Sequence, residues 1–149
     1  MSRSTDSQLG GASLRALPQP DPVTQPYWDS LRRHALQLQR CNACGRFVFY
    51  PRAACPACLN GTLEWVPASG RGTLYTYTIV HRAPSPEFQA QTPYIVALVD
   101  LEEGVRLLTT LVNVPPDPDQ VNIGMPLEIV YDDLNLEITL PRFRPIGRS

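Results

Sequence analysis

All the cysteines of this chain fall in two matched pairs, Cys41-Asn42-Ala43-Cys44 and Cys55-Pro56-Ala57-Cys58. A Cys-x-x-Cys turn brings two sulfurs to one side of a tight knuckle. Two knuckles facing each other form a tetrahedral thiolate cage suited to zinc. Gly45, directly after the second sulfur, permits the left-handed backbone such a knuckle favours. The cage is closed and leaves no position for water or substrate. Cys41, Cys44, Cys55 and Cys58 are therefore read as ligands of a structural ion. The same ligands serve iron in a rubredoxin-type site, and ligand type alone does not separate the two metals. A disulfide framework fits less well: residues 1–25 carry no apolar signal-peptide run, which makes a reducing cytosol the expected compartment. Redox Cys-x-x-Cys centres do not usually come as two neighbouring copies.

The rest of the composition narrows function mainly by exclusion. A length of 149 residues allows one ordinary domain or two very small ones. The 13 basic residues are all arginine, so no Schiff-base or P-loop lysine exists. Any phosphate would have to be held by arginine forks and backbone amides. The formal charge of −1 argues against a strongly basic nucleic-acid binder. The only histidines are His34 and His81, and no Ser-His-Asp, His-Glu-x-x-His or glycine-rich phosphate pattern occurs. This favours a binding or accessory role over an independent enzyme. No apolar run approaches the roughly 18 residues of a membrane span.

Along the chain, residues 1–23 are rich in Ser, Gly, Pro and Gln and read as a disordered leader. Residues 24–67 read as a helix plus metal ribbon. Thr24 or Gln25 caps a helix with Pro26 in its first turn, and Tyr27, Trp28, Leu31 and Ala35 fall near helical spacing. Three short strands follow around the knuckles: Leu36–Arg40, Phe47–Tyr50 and Leu63–Val66. A unit this small needs its metal for stability. Residues 68–146 change to longer strands: Arg71–Arg82, Tyr94–Leu101, Val105–Val112, Leu127–Tyr131 and Leu136–Leu140. Glu102-Glu103-Gly104 reads as a hairpin turn, and Pro115–Gln120 as a loop with room for one helical turn. Tyr94–Leu101, almost continuously apolar, reads as fully buried. Five strands with one longer connection before the fourth fit a partly open barrel of the OB type. A five-stranded β-sandwich fits the same pattern.

The order of motifs carries a resemblance. Pro26-Tyr27-Trp28 precedes Leu38-Gln39-Arg40-Cys41-Asn42-Ala43-Cys44-Gly45, then Tyr50-Pro51-Arg52, Cys55-Pro56-Ala57-Cys58 and Glu64-Trp65-Val66. Ser69-Gly70-Arg71-Gly72-Thr73-Leu74-Tyr75, Pro93-Tyr94-Ile95-Val96-Ala97-Leu98-Val99, Ile123-Gly124-Met125-Pro126-Leu127 and Leu140-Pro141-Arg142-Phe143 follow. The chain resembles, from about Gln25 to Ile146, the family in which a rubredoxin-like zinc ribbon is fused to an OB-fold associated with acyl-CoA metabolism. The resemblance implies a mainly β chain with an N-terminal helix, zinc ribbon and C-terminal five-stranded OB barrel. It further implies a non-catalytic, cytoplasmic partner of a thiolase-fold enzyme (thiolase, aldolase or synthase). That partner would carry the catalytic residues, in a hetero-oligomer guessed by analogy to be α2β2.

Under that resemblance the barrel would help shape a channel for a CoA thioester. CoA asks for guanidinium groups on its phosphates and aromatic faces for its adenine. Arg71, Arg82, Arg106, Arg142 and Arg144 are candidates for the first task, and Tyr75, Tyr77 and Phe88 for the second. Arg71, between Gly70 and Gly72, stands where backbone approaches a ligand closely. The aromatic pair of the helix fits packing on its own domain as well as docking on a partner; in the second case Tyr27, Trp28 and Phe47 are the expected anchors, since aromatics dominate interfaces. The competing reading is an OB-type module for single-stranded nucleic acid, with aromatics stacking on bases. The charge balance opposes it.

Overall fold

The computed structural model describes residues 18–59, 62–82, 86 and 92–146. Its order is α1 (Gln25–Arg32), β1 (Gln37–Cys41), β2 (Phe47–Val48), β3 (Leu63–Pro67), β4 (Arg71–Val80), β5 (Tyr94–Leu101), β6 (Arg106–Leu111), β7 (Pro126–Asp133) and β8 (Thr139–Pro145). Strands β1–β3 form one small antiparallel sheet with β1 in the middle, and β4–β8 close into a five-stranded barrel. The fold is the ribbon-plus-OB architecture expected from the sequence, with the barrel closed rather than partly open. Residues 1–17 of the expected leader and Phe88 lie outside the described residues. Residues 18–23 run into the helix start, where the Asp21 carboxylate accepts the amides of Val23 and Thr24.

Thr24 is the N-cap of α1 and proline stands in its first turn, where a missing N–H costs nothing. The helix stops at Arg32, sooner than the apolar spacing suggested. His34, just beyond, takes the left-handed region (φ 55°). The buried face of α1 is Tyr27, Trp28, Ser30 and Leu31, and its apolar members belong to the same core as Leu74, Ile95, Val99, Leu127 and Phe143 inside the barrel. Two hydrogen bonds tie the helix exit to the rest: Gln37 N donates to Ser30 Oγ, and Leu36 N to the Tyr131 hydroxyl.

Three strands differ from the sequence reading. Strand β2 ends at Val48, because Phe49 and Tyr50 turn aside to pack their rings edge-on against Tyr27, at 5.6 and 5.8 Å. Strand β5 is not buried on both faces: Ile95, Ala97, Val99 and Leu101 point into the barrel, while Val96 and Leu98 alternate outward and stay half-buried. The last strand lies later than Leu136–Leu140. Leu136 is 94% exposed, and Asn135 Oδ1 accepts the amides of Glu137 and Ile138 in a tight loop that precedes β8. Pro115–Gln120 holds a turn closed by Gln120 N on Asp117 O rather than a helical turn.

Strand β8 is unusual in holding Pro141 and Pro145. It pairs antiparallel with β7 along its whole length but parallel with β6 at one register pair, Leu111 with Phe143. The Phe143 carbonyl accepts from Val112 N on the β6 side, so Pro141 and Pro145, two residues away on either hand, face the same side. Proline has no N–H to offer there, which accounts for the sparse β6–β8 ladder. Side chains bridge the gap: Thr109 Oγ1 donates to the Pro141 carbonyl at 2.8 Å, and Arg142 donates to the Thr110 hydroxyl.

Candidate functional site: a thiol cluster and two surface clefts

The knuckles are shaped by backbone. Cys41 N donates to Arg46 O and Gly45 N to Cys41 O, with Gly45 at φ 78° as the sequence required. The amides of Ala43 and Cys44 point at Cys41 Sγ, each at 3.4 Å. In the second knuckle Leu59 N donates to Cys55 O. The four sulfurs lie within 4.8 Å of one another, with Cys41–Cys58 at 3.6 Å and Cys44–Cys55 at 3.7 Å. A tetrahedral ion with metal–sulfur bonds near 2.3 Å separates its sulfurs by about 3.8 Å, so the cluster fits a metal as it stands. Its electrostatics agree. The Cys44 amide, with that of Ala43, pulls the Cys41 thiol down to about 6, and the Cys58 amide pulls Cys55 down. At Cys44 the Arg46 amide also lowers the pKa, but desolvation and the neighbouring sulfurs outweigh it and push the thiol up to about 11. Four thiolates crowded together need a cation between them.

The ribbon is braced internally. Gln39, buried on β1, holds the segment after Pro51 by both amide atoms: its Nε2 donates to Arg52 O (2.9 Å) and its Oε1 accepts Arg52 N (2.8 Å). This strut was not singled out in the sequence. A glutamine two residues before the first knuckle cysteine is its only trace there.

The expected docking aromatics are placed differently from the reading of them as anchors. Tyr27 and Trp28 are 2% and 6% exposed, because their rings fill the core between helix and barrel, and burial pushes the Tyr27 phenol well up. Phe47 is half-buried, under the Arg40 guanidinium at 5.7 Å. What is exposed nearby is an apolar groove of about 460 Å³ at the seam of helix, ribbon and barrel. Trp28, Phe49, Tyr50, Leu108, Leu140 and Pro141 are among the residues that line it. Tyr50 is 42% and Leu108 67% exposed, and the Trp28 indole N–H donates to the Tyr50 hydroxyl at 3.1 Å. These residues are far apart in sequence, so no local pattern announces the groove.

The candidate CoA residues separate into groups. Tyr75 bulges from β4 and lies under the Arg106 guanidinium, 3.4 Å from its ring centroid, while Asp100 accepts Arg106 Nε at 2.6 Å. Arg71 starts the same strand, paired in register with Glu128 of β7. Tyr77 lines a different cleft with His81, at the other end of β4, and Arg82 follows that end. Arg142 and Arg144 are engaged by Asp132 and Glu128 across the β7–β8 ladder. The glycines beside Arg71 let barrel strands approach closely. A Cβ on Gly72 would stand near the Asp100 carbonyl, and one on Gly70 2.6 Å from Ile129.

Comparison with known proteins places these features in one lineage. The family model described as the ChsH2 rubredoxin-like zinc ribbon domain matches residues 28–64, and that for the ChsH2 C-terminal OB-fold domain matches residues 65–132. A DUF35 domain-containing scaffold protein of Methanocaldococcus jannaschii is 41% identical over 74% of this chain and 78% of its own length. The benzoylsuccinyl-CoA thiolase subunit BbsA of Thauera aromatica is 35% identical over 54% of each chain. A "Probable enoyl-CoA hydratase alpha subunit" of Thermomonospora curvata is 40% identical over 80% of this chain, which spans only 36% of that relative's length. Among solved structures, a chain of the Ltp2-ChsH2(DUF35) aldolase superposes with a TM-score of 0.75 at 37% identity, covering 87% of this chain and 98% of that one. The chain therefore belongs to the family of DUF35 domain-containing scaffold proteins.

Proposed function

We propose that this protein is a non-catalytic accessory subunit of a thiolase-fold enzyme, thiolase or aldolase, acting on a CoA thioester. The observation that carries the reading is its likeness, over nearly the whole of that chain, to the DUF35 partner in the Ltp2-ChsH2(DUF35) aldolase. The similarity to a thiolase subunit points the same way. In this reading the cysteines hold zinc, residues 24–67 act as a rigid clip, and residues 68–146 present the barrel. The apolar groove gives the partner a surface to bury. Tyr50 and Leu108 take the anchoring role first assigned to Tyr27, Trp28 and Phe47, because they are the exposed apolar groups at that seam.

The CoA thioester would pass the end of the barrel where Arg71, Tyr75 and Arg106 lie. Tyr77 and Arg82, at the far end of β4, would meet it only along a longer channel. An α2β2 assembly in the cytoplasm is the corresponding guess. Co-expression with a thiolase-fold chain from the same genome, chosen because it co-purifies with this protein, followed by size-exclusion chromatography and metal analysis, tests the reading. The two chains should co-elute with zinc, and acyl-CoA turnover should require both. A protein for which no thiolase-fold chain co-purifies, or that turns over acyl-CoA unaided, defeats it.

A further inference from the structure

A second cleft, about 380 Å³, opens between the ribbon and the β5–β6 hairpin. Its apolar walls include Phe47, Val48 and Val105, and Arg46, Arg52 and Arg106 line it with no carboxylate among the lining residues. Among the described residues neither Arg46 nor Arg52 pairs with an acid, whereas Arg106, Arg142 and Arg144 of the barrel do; Arg71 does not. Arg106 keeps its Nη1 edge outside the Asp100 pair, which uses Nε and Nη2. Cys55, one of the ion-binding sulfurs, also lines the cleft and supplies counter-charge, but it leaves the exposed guanidinium donors of Arg46 and Arg52 open to an anion's oxygens.

Backbone bonds set where two of the arginines stand: Arg52 is held at both backbone atoms by buried Gln39, and the Arg46 carbonyl is tied to Cys41. Their side chains are exposed and reach the cleft from these anchored points, whereas the Arg106 guanidinium is itself held, stacked on Tyr75. A lone carboxylate has two oxygens and satisfies one fork. Several forks around one cavity match the many oxygens of a diphosphate.

We propose that the seam between ribbon and hairpin binds a diphosphate-bearing small molecule, with Arg46 and Arg52 holding the diphosphate, Arg106 at its edge, and Phe47 beside any attached ring. The diphosphate can belong to a free nucleotide or to coenzyme A. In the second case the site deepens the scaffold reading; in the first it is independent of it.

The test is calorimetric titration of the full-length, zinc-loaded chain with ADP, pyrophosphate and coenzyme A. Saturable one-to-one binding is expected, weakening with salt. R46Q and R52Q should each lose roughly tenfold or more in affinity, with zinc content unchanged. Coenzyme A competing with ADP, and weakened by the same variants, identifies the cofactor as the source; ADP binding without that competition identifies a nucleotide. No saturable binding of any probe overturns the proposal. So does binding that survives in the R46Q/R52Q double variant. A third outcome also overturns it: the variants surrender zinc faster to a chelator while diphosphate affinity stays put, which would make the arginines counter-charges for the thiolates. None of these outcomes bears on whether the chain co-elutes with a thiolase-fold partner.

Discussion

Gly72 shows what a single residue contributes to barrel closure. It pairs with Leu101 on one side and Leu127 on the other, in the short stretch, Gly72 and Thr73, where β4 is held by both neighbours at once. The absence of a side chain lets the Asp100 carbonyl approach. Gly72→Ala should therefore lower stability by about 1–3 kcal/mol, as overpacking does, read as a shifted urea midpoint with unchanged slope. Asp133 is a second such point. Its carboxylate accepts the Thr139 hydroxyl and faces His34 Nε2 at 3.0 Å, while the His34 ring stacks on Tyr131 at 4.8 Å. The Thr139 hydrogen bond first, and His34 second, hold the Asp133 carboxyl below its usual range. A folded-state pKa lower than the unfolded one means stability is present above the unfolded value of about 3.9 and lost as pH falls through the folded value. The stability gap between wild type and Asp133→Asn should thus close on acidification below about pH 4; a gap that stays constant to pH 2 contradicts this. The glycines were visible in the sequence but their purpose was not, because a sequence does not say what a Cβ would meet.

At the scale of elements, the ribbon is the part the sequence declared most openly. Two knuckles and the flanking strands were legible because metal ligation imposes a fixed spacing, which no tertiary context can override. Cys41→Ser or Cys55→Ser should release the metal, unfold residues 37–67 and abolish partner binding. Metal analysis and circular dichroism check the first two outcomes, and co-elution the third. A complex retained after metal loss would show that the ribbon is not the clip. Gln39→Leu probes the brace from the other side. It keeps the ligands but strands the Arg52 amide and carbonyl, costing about 1–3 kcal/mol and speeding zinc loss to a chelator. Strand β8 was the element hardest to read. Prolines usually argue against a strand, and the apolar pair Leu136 and Leu140 drew the boundary too early. The physical reason appears only in three dimensions, where both prolines turn toward the side that needs few donors.

The whole molecule is organised around one apolar core that runs from α1 through the barrel, and this assigns its aromatics. Tyr27 and Trp28 looked like docking residues because helical spacing marks an apolar face without saying what covers it; the barrel covers it. The groove beside them could not be read at all, since Tyr50, Leu108 and Pro141 come from three separate stretches. If it is the docking surface, Leu108→Glu should leave the fold intact and weaken the complex at least tenfold, because a buried unpaired carboxylate in an interface is costly. Unchanged co-elution would move the interface elsewhere. The groove has one more property. Its lining spans the β6–β8 junction, where a single backbone pair and two side-chain bridges do the work of a ladder. That junction is where the cylinder should breathe, exchanging the Val112 amide with deuterium sooner than the amides of β5. Whatever settles into the groove lies across the weak stave like a hoop, so assembly should register as slowed deuterium uptake at Val112.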